Sequence, residues 1–393
     1  MGGKITVTAA NHGIKGKDSI TIAGASIDVT AGADGMQSDN EEDVSKGYVS
    51  ISSGTIDITA GDDGIQAERN ITINGGEITI SAGTTTSKTG IAKGIKAGSD
   101  ITITDGNINL DSADDAINSA GTLEISGGNL ILSSGDDALH ADSEIKILGG
   151  SILVPECYWG IESSSITIND GYIQIVSRDD GINGVSAGQS SVQPGPGGSF
   201  SQGGNRLEIN GGYIAVDALG DGLDINGPIT MTGGTVLING PVSDGNGALD
   251  YENYFTVCDG LLIAAGSSGM AEAPSTSSSQ YSVMVYFDSA QQANSIVHIE
   301  TEDGKEIMTF SPTKTYESVV LSSPELEMGE TYLVYSGGSS TGTINDSLYS
   351  GGTYTPGTQI YSFTISSTVT TVGSSGSGGP GGGVGGFPGG RPP

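Results

Sequence analysis

A short apolar motif recurs along the first two-thirds of the chain. It consists of a Gly or Ala, then Ile, Leu or Met, then a polar residue, and the spacings between successive copies are 22, 29, 30, 22, 22, 22, 21, 41 and 26. A base period near 22 with occasional insertions fits every interval, and a fixed internal period is typical of solenoid proteins. The apolar members, which we call the anchors, are Ile14, Met36, Ile65, Ile95, Ile117, Leu139, Ile161, Ile182, Leu223 and Leu249.

Each period also contains short stretches in which apolar and polar residues alternate. Ile71-Thr72-Ile73 is one example, and Glu77-Ile78-Thr79-Ile80 follows a Gly-Gly turn. Alternation with period 2 predicts strands, and no segment keeps the apolar spacing of a helix over ten residues. Three strands and three turns in about 22 residues predict one coil of a parallel β-helix. We therefore expect an all-β protein, with a right-handed single-stranded parallel β-helix of about ten coils over residues 1–266. A calcium β-roll is disfavoured because its nonapeptide period is absent.

The pattern changes along the rest of the chain. The longest interval contains a Gly/Pro-rich insertion, residues 185–205, which we expect to be a mobile loop. Residues 267–280 have the composition of a linker. Longer alternating strands then predict a small antiparallel β domain over residues 281–372, which could cap the open end of the solenoid. The last 21 residues, 373–393, include 11 Gly, and we expect this tail to be disordered.

Composition excludes several classes of function. The chain has 14 Lys and Arg against 46 Asp and Glu, a formal net charge of −32, so it lacks the clustered cations that bind nucleic acid. It has no apolar run long enough to span a membrane and no segment of the signal-peptide type. Two distant cysteines, Cys157 and Cys258, support neither a disulfide framework nor a zinc site.

Pairs of aspartates stand just before the anchors in several repeats. Equivalent positions of a solenoid stack about 5 Å apart, where two carboxylates repel by about 0.8 kcal/mol even in water. A bound Ca²⁺ would offset this repulsion, because calcium takes several carboxylate and carbonyl oxygens. The alternative is a set of solvated acidic turns without metal. The candidate calcium ligands are Asp62, Asp63, Asp114, Asp115, Asp136, Asp137, Asp142, Asp179 and Asp180.

One repeat has two aromatic residues, Tyr158 and Trp159, where others have the aspartate pair. Sugar rings stack on aromatic faces, so we expect these two side chains to contact carbohydrate. The alternative is that Trp159 only packs against a neighbouring coil.

Catalytic residues are hard to assemble from this sequence. Three scattered histidines and the absence of GxSxG and HExxH leave no hydrolase motif. A calcium-dependent β-elimination of the pectate-lyase type needs a Lys or Arg base beside the metal. The candidates are Lys93, Lys96 and Arg178, and the alternative role for each is charge balance within an acidic face.

The repeats "GDDGIQAERNITINGGEITISAG", "ADDAINSAGTLEISGGNL" and "GDDALHADSEIKILGGSI", with the C-terminal "ETYLVYSGGSSTGT" and "FTISSTVTTVG", resemble the clostridial carbohydrate-binding β-helix family. The resemblance spans roughly residues 1–372. It implies secreted, calcium-bearing, polysaccharide-lyase-like helices that bind cellulose and acidic sugars such as polygalacturonate, without established catalysis.

Charge and resemblance together predict a function. A strongly acidic protein repels a polyanion unless a cation stands between them. We therefore expect non-catalytic, calcium-dependent binding to an acidic plant cell-wall polysaccharide such as polygalacturonate, with cellulose as a second candidate ligand. We expect a monomer located outside the cell or at its surface. A lyase and a cell-surface structural or adhesive solenoid are the alternatives.

Overall fold

The computed structural model describes residues 3–83, 90–185 and 204–374. These ranges consist of strands and turns without α-helix, so the all-β class is confirmed. In the same ranges no helix has the length and hydropathy of a membrane span. The central part of the predicted loop, 186–203, and nearly all of the predicted tail, 375–393, lie outside the described residues.

The described residues of the repeat region form 27 strands. Those up to the fifth anchor are β1 (Lys4–Ala9), β2 (Ile14–Lys15), β3 (Ser19–Ala31), β4 (Met36–Ser38), β5 (Tyr48–Ala60), β6 (Ile65–Ala67), β7 (Ile71–Ala82), β8 (Ile95–Ala97), β9 (Ile101–Ser112) and β10 (Ile117–Ser119). The next are β11 (Thr122–Ile125), β12 (Asn129–Ser133), β13 (Leu139–Ala141), β14 (Glu144–Ile147), β15 (Ser151–Cys157), β16 (Ile161–Ser163), β17 (Ser165–Ile168), β18 (Tyr172–Ser177) and β19 (Ile182–Gly184). The last are β20 (Arg206–Ile209), β21 (Tyr213–Ala218), β22 (Leu223–Ile225), β23 (Ile229–Met231), β24 (Thr235–Asn239), β25 (Leu249–Tyr251), β26 (Phe255–Val257) and β27 (Leu261–Gly266).

These strands pair in three parallel rows, each strand with its equivalent in the next repeat. The first row runs β11-β14-β17-β20-β23-β26 and the second β12-β15-β18-β21-β24-β27, and both join β9 in a 20-stranded sheet. The long strands β3, β5, β7 and β9 belong to both rows. The third row is a separate ten-stranded parallel sheet, β2-β4-β6-β8-β10-β13-β16-β19-β22-β25.

The ten anchors face one another in register along the third row. Ile65 pairs with Ile95, Ile95 with Ile117 and so on, from Ile14 to Leu249. The predicted stacking of equivalent positions is therefore confirmed. The right-handed coil and the count of ten coils stay predictions.

Steric crowding explains why a small residue precedes each anchor. A Cβ on Gly64 would lie 2.2 Å from Cγ2 of Ile80 and 2.5 Å from the carbonyl oxygen of Gly94. Contacts this short do not occur between non-bonded atoms, so only a minimal side chain lets successive repeats approach here. This constraint places the acidic pair just before the small residue in a fixed position relative to the third row.

A single apolar cluster fills the repeat region. Its members are nine of the ten anchors and the inward-facing Ile, Leu and Val of the first two rows, such as the fully buried Ile103 and Ile147. The first anchor, Ile14, is partly buried and packs against the cluster. Each repeat contributes few apolar residues, but stacking buries them on both sides. This arrangement explains how 35% hydrophobic residues suffice for a chain of this length.

The C-terminal part consists of eleven further strands. They are β28 (Ser282–Gln291), β29 (Val297–Thr301), β30 (Glu306–Phe310), β31 (Tyr316–Ser322), β32 (Thr331–Ser336), β33 (Ser339–Ser340), β34 (Thr343–Asn345), β35 (Leu348–Ser350), β36 (Tyr354–Thr355), β37 (Thr358–Thr364) and β38 (Val369–Val372). Most pairings among them are antiparallel, and β31 also pairs antiparallel with β27, the last strand of the second row. A second apolar cluster joins Leu237 and Ile263 of the second row to this C-terminal part.

The segment predicted as a linker, residues 267–280, lies against the first row. The backbone N–H groups of Phe255 and Val257 in β26 donate to the hydroxyls of Ser275 and Ser278, at 2.9 and 3.0 Å. The segment therefore satisfies the edge of β26 without forming a regular strand.

Candidate functional site

The acidic pairs lie in the turns that lead from the second row into the third. We call the residue two positions before an anchor the inner position and the residue before that the outer position. The inner aspartates are only 3–9% exposed, and they are Asp34, Asp63, Asp115, Asp137, Asp180 and Asp221. The outer aspartates are more exposed, so the two carboxylates of a pair occupy different environments.

Most inner carboxylates bind the backbone of the next repeat. Oδ1 of Asp63 accepts a hydrogen bond from the N–H of Lys93 at 2.9 Å, and Oδ1 of Asp180 accepts one from the N–H of Asp221 at 2.7 Å. Asp34, Asp115 and Asp221 accept the equivalent bonds. An inner Asp therefore has a structural role that needs no metal, which supports the interpretation of these residues as turn formers.

Lys93 occupies the inner position of its own repeat. Its Nζ lies 2.8 Å from Oδ2 of Asp114 and 2.5 Å from Oδ2 of Asp115. Burial would lower the pKa of Lys93, but the charges and hydrogen bonds of the two carboxylates outweigh it and raise the pKa. Lys93 is therefore a charged counter-ion within the acidic turns rather than the neutral amine that would abstract a proton.

The other two candidate bases also have defined partners. Nζ of Lys96 lies 3.1 Å from Oδ2 of Asp63. The guanidinium of Arg178 donates to the carbonyl of Cys157 at 3.3 Å and to that of Gly135 at 2.9 Å. Lys96 thus balances an inner carboxylate, whereas Arg178 holds the carbonyls of two preceding repeats and remains exposed on its outer side.

Three groups of side chains bring potential metal ligands together among the described residues. In each group one ligand atom per residue lies within 4.8 Å of the others, and the groups are Asp34/Asp62/Asp63, Asp114/Asp115/Asp136 and Asp115/Asp137/His140. The predicted convergence of aspartates from successive repeats therefore occurs. Each group also contacts a basic side chain of the protein, as Lys93 does for the second.

His140 lies between carboxylates at the C-terminal end of these groups. Its Nδ1 is 2.7 Å from Oδ2 of Asp137, and its Nε2 is 3.1 Å from Oδ1 of Asp142. Burial alone would lower the pKa of His140, but the hydrogen bond and charge of Asp137 raise it to about 10. Burial raises the pKa of Asp137 well above its usual value and that of Glu162 to about 7.

A second set of carboxylates has no such basic partner. We call it the acidic patch, and it consists of Asp179, Asp180, Asp221, Asp224 and Asp250. Burial, followed by the charges of neighbouring carboxylates, raises the pKa of Asp180, Asp221 and Asp224 to about 7. Among the ion pairs of the described residues, none joins the patch to Lys, Arg or His. A cation from solution bound here would therefore not have to displace an ion pair of the described residues.

The donor set of the acidic patch fits a hard cation such as calcium, because it consists of carboxylate oxygens. In the described part of the chain, no three of its members bring ligand atoms within 4.8 Å of one another. An ion held here would complete its shell with water or with oxygens of a ligand.

The aromatic pair lies between these two acidic regions. The rings of Tyr158 and Trp159 meet edge to face with centroids 4.9 Å apart, and Tyr158 is 38% exposed. Trp159 is half-buried, with its indole N–H buried and without a hydrogen-bond partner. The guanidinium of Arg178 lies 5.9 Å from the Tyr158 ring centroid, and a hydrogen bond with Asp179 raises the pKa of Tyr158. An exposed aromatic face, a guanidinium and the first carboxylate of the patch are therefore neighbours.

Comparison with known proteins identifies one relationship. Residues 1–138, about a third of the chain, match a family model described as "Carbohydrate-binding domain-containing protein". The match supports a carbohydrate-binding family. A search of curated proteins and a search of solved structures each found no match. The matched segment includes Lys93 and ends before Tyr158 and the acidic patch.

Sequence reasoning missed part of this arrangement. Asp221, Asp224 and Asp250 were not among the predicted calcium ligands, although Asp224 and Asp250 directly follow anchors and pair in register. The signal was available, because residues that follow the anchors form a polar ladder that ends in these two aspartates. His140 belongs to the same ladder, in register with Asn118 and Glu162.

Proposed function

We propose that this protein binds acidic plant cell-wall polysaccharide, such as polygalacturonate, through calcium and without catalysis. The family match supports carbohydrate binding in general. The observation that carries the calcium dependence is the acidic patch, whose carboxylates lack a basic partner among the described residues. In a protein of net charge −32, a divalent ion shared by patch and uronate carboxylates converts repulsion into attraction.

The aromatic pair and Arg178 extend this site toward the sugar chain. The exposed face of Tyr158 offers a stacking surface for one sugar ring, and Arg178 beside it offers donors to a uronate carboxylate. Asp179 lies next to Tyr158, so a polysaccharide on this surface would reach the calcium ions of the patch. The same surface suits a neutral chain such as cellulose less well, because Tyr158 is its one well-exposed ring.

We also propose the coil geometry and the location that the resemblance implies. The repeats would form a right-handed, polysaccharide-lyase-like β-helix of ten coils, in a protein exported to the cell surface or beyond. The three parallel rows and the in-register anchors support this architecture.

The test is retention on immobilised polygalacturonate with calcium or with excess EDTA. We expect EDTA to abolish retention, and we expect the double substitution Asp224→Asn/Asp250→Asn to weaken it by about tenfold or more. The matched control is Asp28→Asn/Asp57→Asn, an exposed in-register pair on the second row with the same change of charge, which should retain binding. Full retention in EDTA would remove the calcium mechanism.

Two other functions can be distinguished from the proposed one by further assays. A lyase is the second candidate, because exposed Arg178 lies beside the acidic patch. Release of unsaturated uronides, followed by ultraviolet absorbance with calcium present, would establish it, and Arg178→Ala should then abolish the signal. A structural or adhesive solenoid would bind no glycan on an array under any calcium concentration.

A further inference from the structure

One inner aspartate departs from the hydrogen-bond pattern of the others. Asp137 is 3% exposed, yet its Oδ1 is buried and has no hydrogen-bond partner. In five other repeats the equivalent oxygen accepts the backbone N–H of the next inner residue. After Asp137 the next inner residue is Trp159, whose repeat follows a register shift between Val154 and Cys157. A buried carboxylate oxygen without a donor is costly unless something else occupies its lone pairs.

Ligand atoms of two further residues converge on the Asp137 carboxylate, whose other oxygen, Oδ2, faces Nδ1 of His140. Among the described residues, Asp115, Asp137 and His140 each offer a ligand atom within 4.8 Å of the other two. Oε1 of Glu162 lies 3.6 Å from Nδ1 of His140 and could supply a fourth ligand. Two or three carboxylates and one imidazole nitrogen therefore surround a common point.

One ring nitrogen of His140, Nε2, already has the kind of partner that the non-ligating nitrogen of a metal-binding histidine has. The Nδ1 atom faces Asp137, while Nε2 lies 3.1 Å from Oδ1 of Asp142. In metal sites the non-ligating nitrogen of a histidine usually donates to a carboxylate, which fixes the ring and its tautomer. The side chain of His140 is 20% exposed, so the group lies near the protein surface.

We propose that Asp115, Asp137 and His140 form a site for a first-row transition metal ion such as Zn²⁺, with Nδ1 of His140 as the nitrogen ligand and Asp142 as its orienting partner. An imidazole ligand favours Zn²⁺, Co²⁺ or Ni²⁺ over Ca²⁺, which prefers oxygen alone. Metal binding replaces the proton on Nδ1, which leaves to solvent, and it gives Oδ1 of Asp137 a partner. This site is separate from the acidic patch and does not depend on glycan binding.

The first test titrates the full-length, chelator-treated protein with Co²⁺ and then with Zn²⁺. We expect one Co²⁺ per chain with a visible absorption band of nitrogen and oxygen ligation, displaced by Zn²⁺ but not by an equal concentration of Ca²⁺. His140→Gln should abolish the band. The control His12→Gln alters a histidine that also lies beside an inner aspartate, 3.1 Å from Asp34, and should leave the band unchanged. Binding that survives His140→Gln would overturn the proposal.

A second measurement needs no variant and covers the case in which His140→Gln fails to fold. The chain has three histidines, so imidazole resonances can be followed individually by NMR during Zn²⁺ titration. We expect one histidine to shift in proportion to bound metal, and Asp137→Asn to reduce the affinity at least about tenfold. No shift of any imidazole, or equal shifts of all three, would refute the site. Calcium-dependent retention on polygalacturonate should be the same for His140→Gln and the unaltered protein.

Discussion

Replacement of Lys93 by Met gives a direct measure of charge compensation in the acidic turns. Methionine keeps most of the side-chain volume and removes the ammonium that lies 2.8 Å from Asp114 and 2.5 Å from Asp115. Asp115 is buried, and Asp114 is 17% exposed, so their charges would lose their partner in a poorly solvated turn. Removal of one member of a buried ion pair lowers the free energy of unfolding by about 3–5 kcal/mol. Because Asp114 is partly exposed, we expect Lys93→Met to cost about 3 kcal/mol, the lower end of this range.

The assay is urea unfolding of the full chain at neutral pH, with Lys46→Met as the matched control. Lys46 pairs with Asp18 at 2.9 Å, but both side chains are well exposed, so solvent screens the pair and this substitution should cost far less than Lys93→Met. Calcium should restore Lys93→Met selectively, because Asp114, Asp115 and Asp136 converge within 4.8 Å and would no longer hold an ammonium. At a hundred times its dissociation constant, a bound ion would return about 2.7 kcal/mol. Equal losses in the two variants, or equal stabilisation of both by calcium, would refute the reasoning.

Two further predictions concern pH and the C-terminal part. Burial and the charge of Asp221 raise the folded-state pKa of Asp224 to about 7. The folded state therefore favours protonated Asp224, and the resulting stability is complete below about pH 4 and is lost as pH rises through 7. The urea midpoint in chelator should therefore fall between pH 5 and pH 8, and less so in Asp224→Asn; a midpoint that rises over this range would contradict the assignment. Asp346 accepts hydrogen bonds from Tyr172, at 2.9 Å, and from Gln174, so Asp346→Ala should cost about 1–3 kcal/mol. Hydrogen exchange in β34 and β35 should then accelerate, and unchanged exchange would show that this contact does not hold the hairpin.

The repeat could be predicted from the sequence because inward positions admit few residue types. Ile95 and Ile117 recur with a fixed spacing, and they lie opposite each other in the third row. The same spacing places equivalent aspartates on neighbouring repeats, and their convergence follows. Periodicity therefore specifies which residues are stacked.

Periodicity could not specify which way the polar side chains turn. The inner carboxylate of Asp63 bends toward a backbone N–H, and His140 reaches sideways to Asp137 and Asp142. Both choices depend on the local backbone of the turn, which varies between repeats of similar sequence. The departure at Asp137 occurs where the next inner residue is Trp159 and the strand pairing shifts register, and periodicity predicts neither.

The antiparallel strand β31 limits where additional repeats can be added to this fold. It runs across β27 in the direction opposite to all strands of the second row. An additional repeat at this end would meet a strand of the wrong polarity, so lengthening requires duplication inside the stack or enlargement of a turn. The same strand covers the C-terminal edge of the second row, so that row cannot pair with another chain there and extend into a fibre.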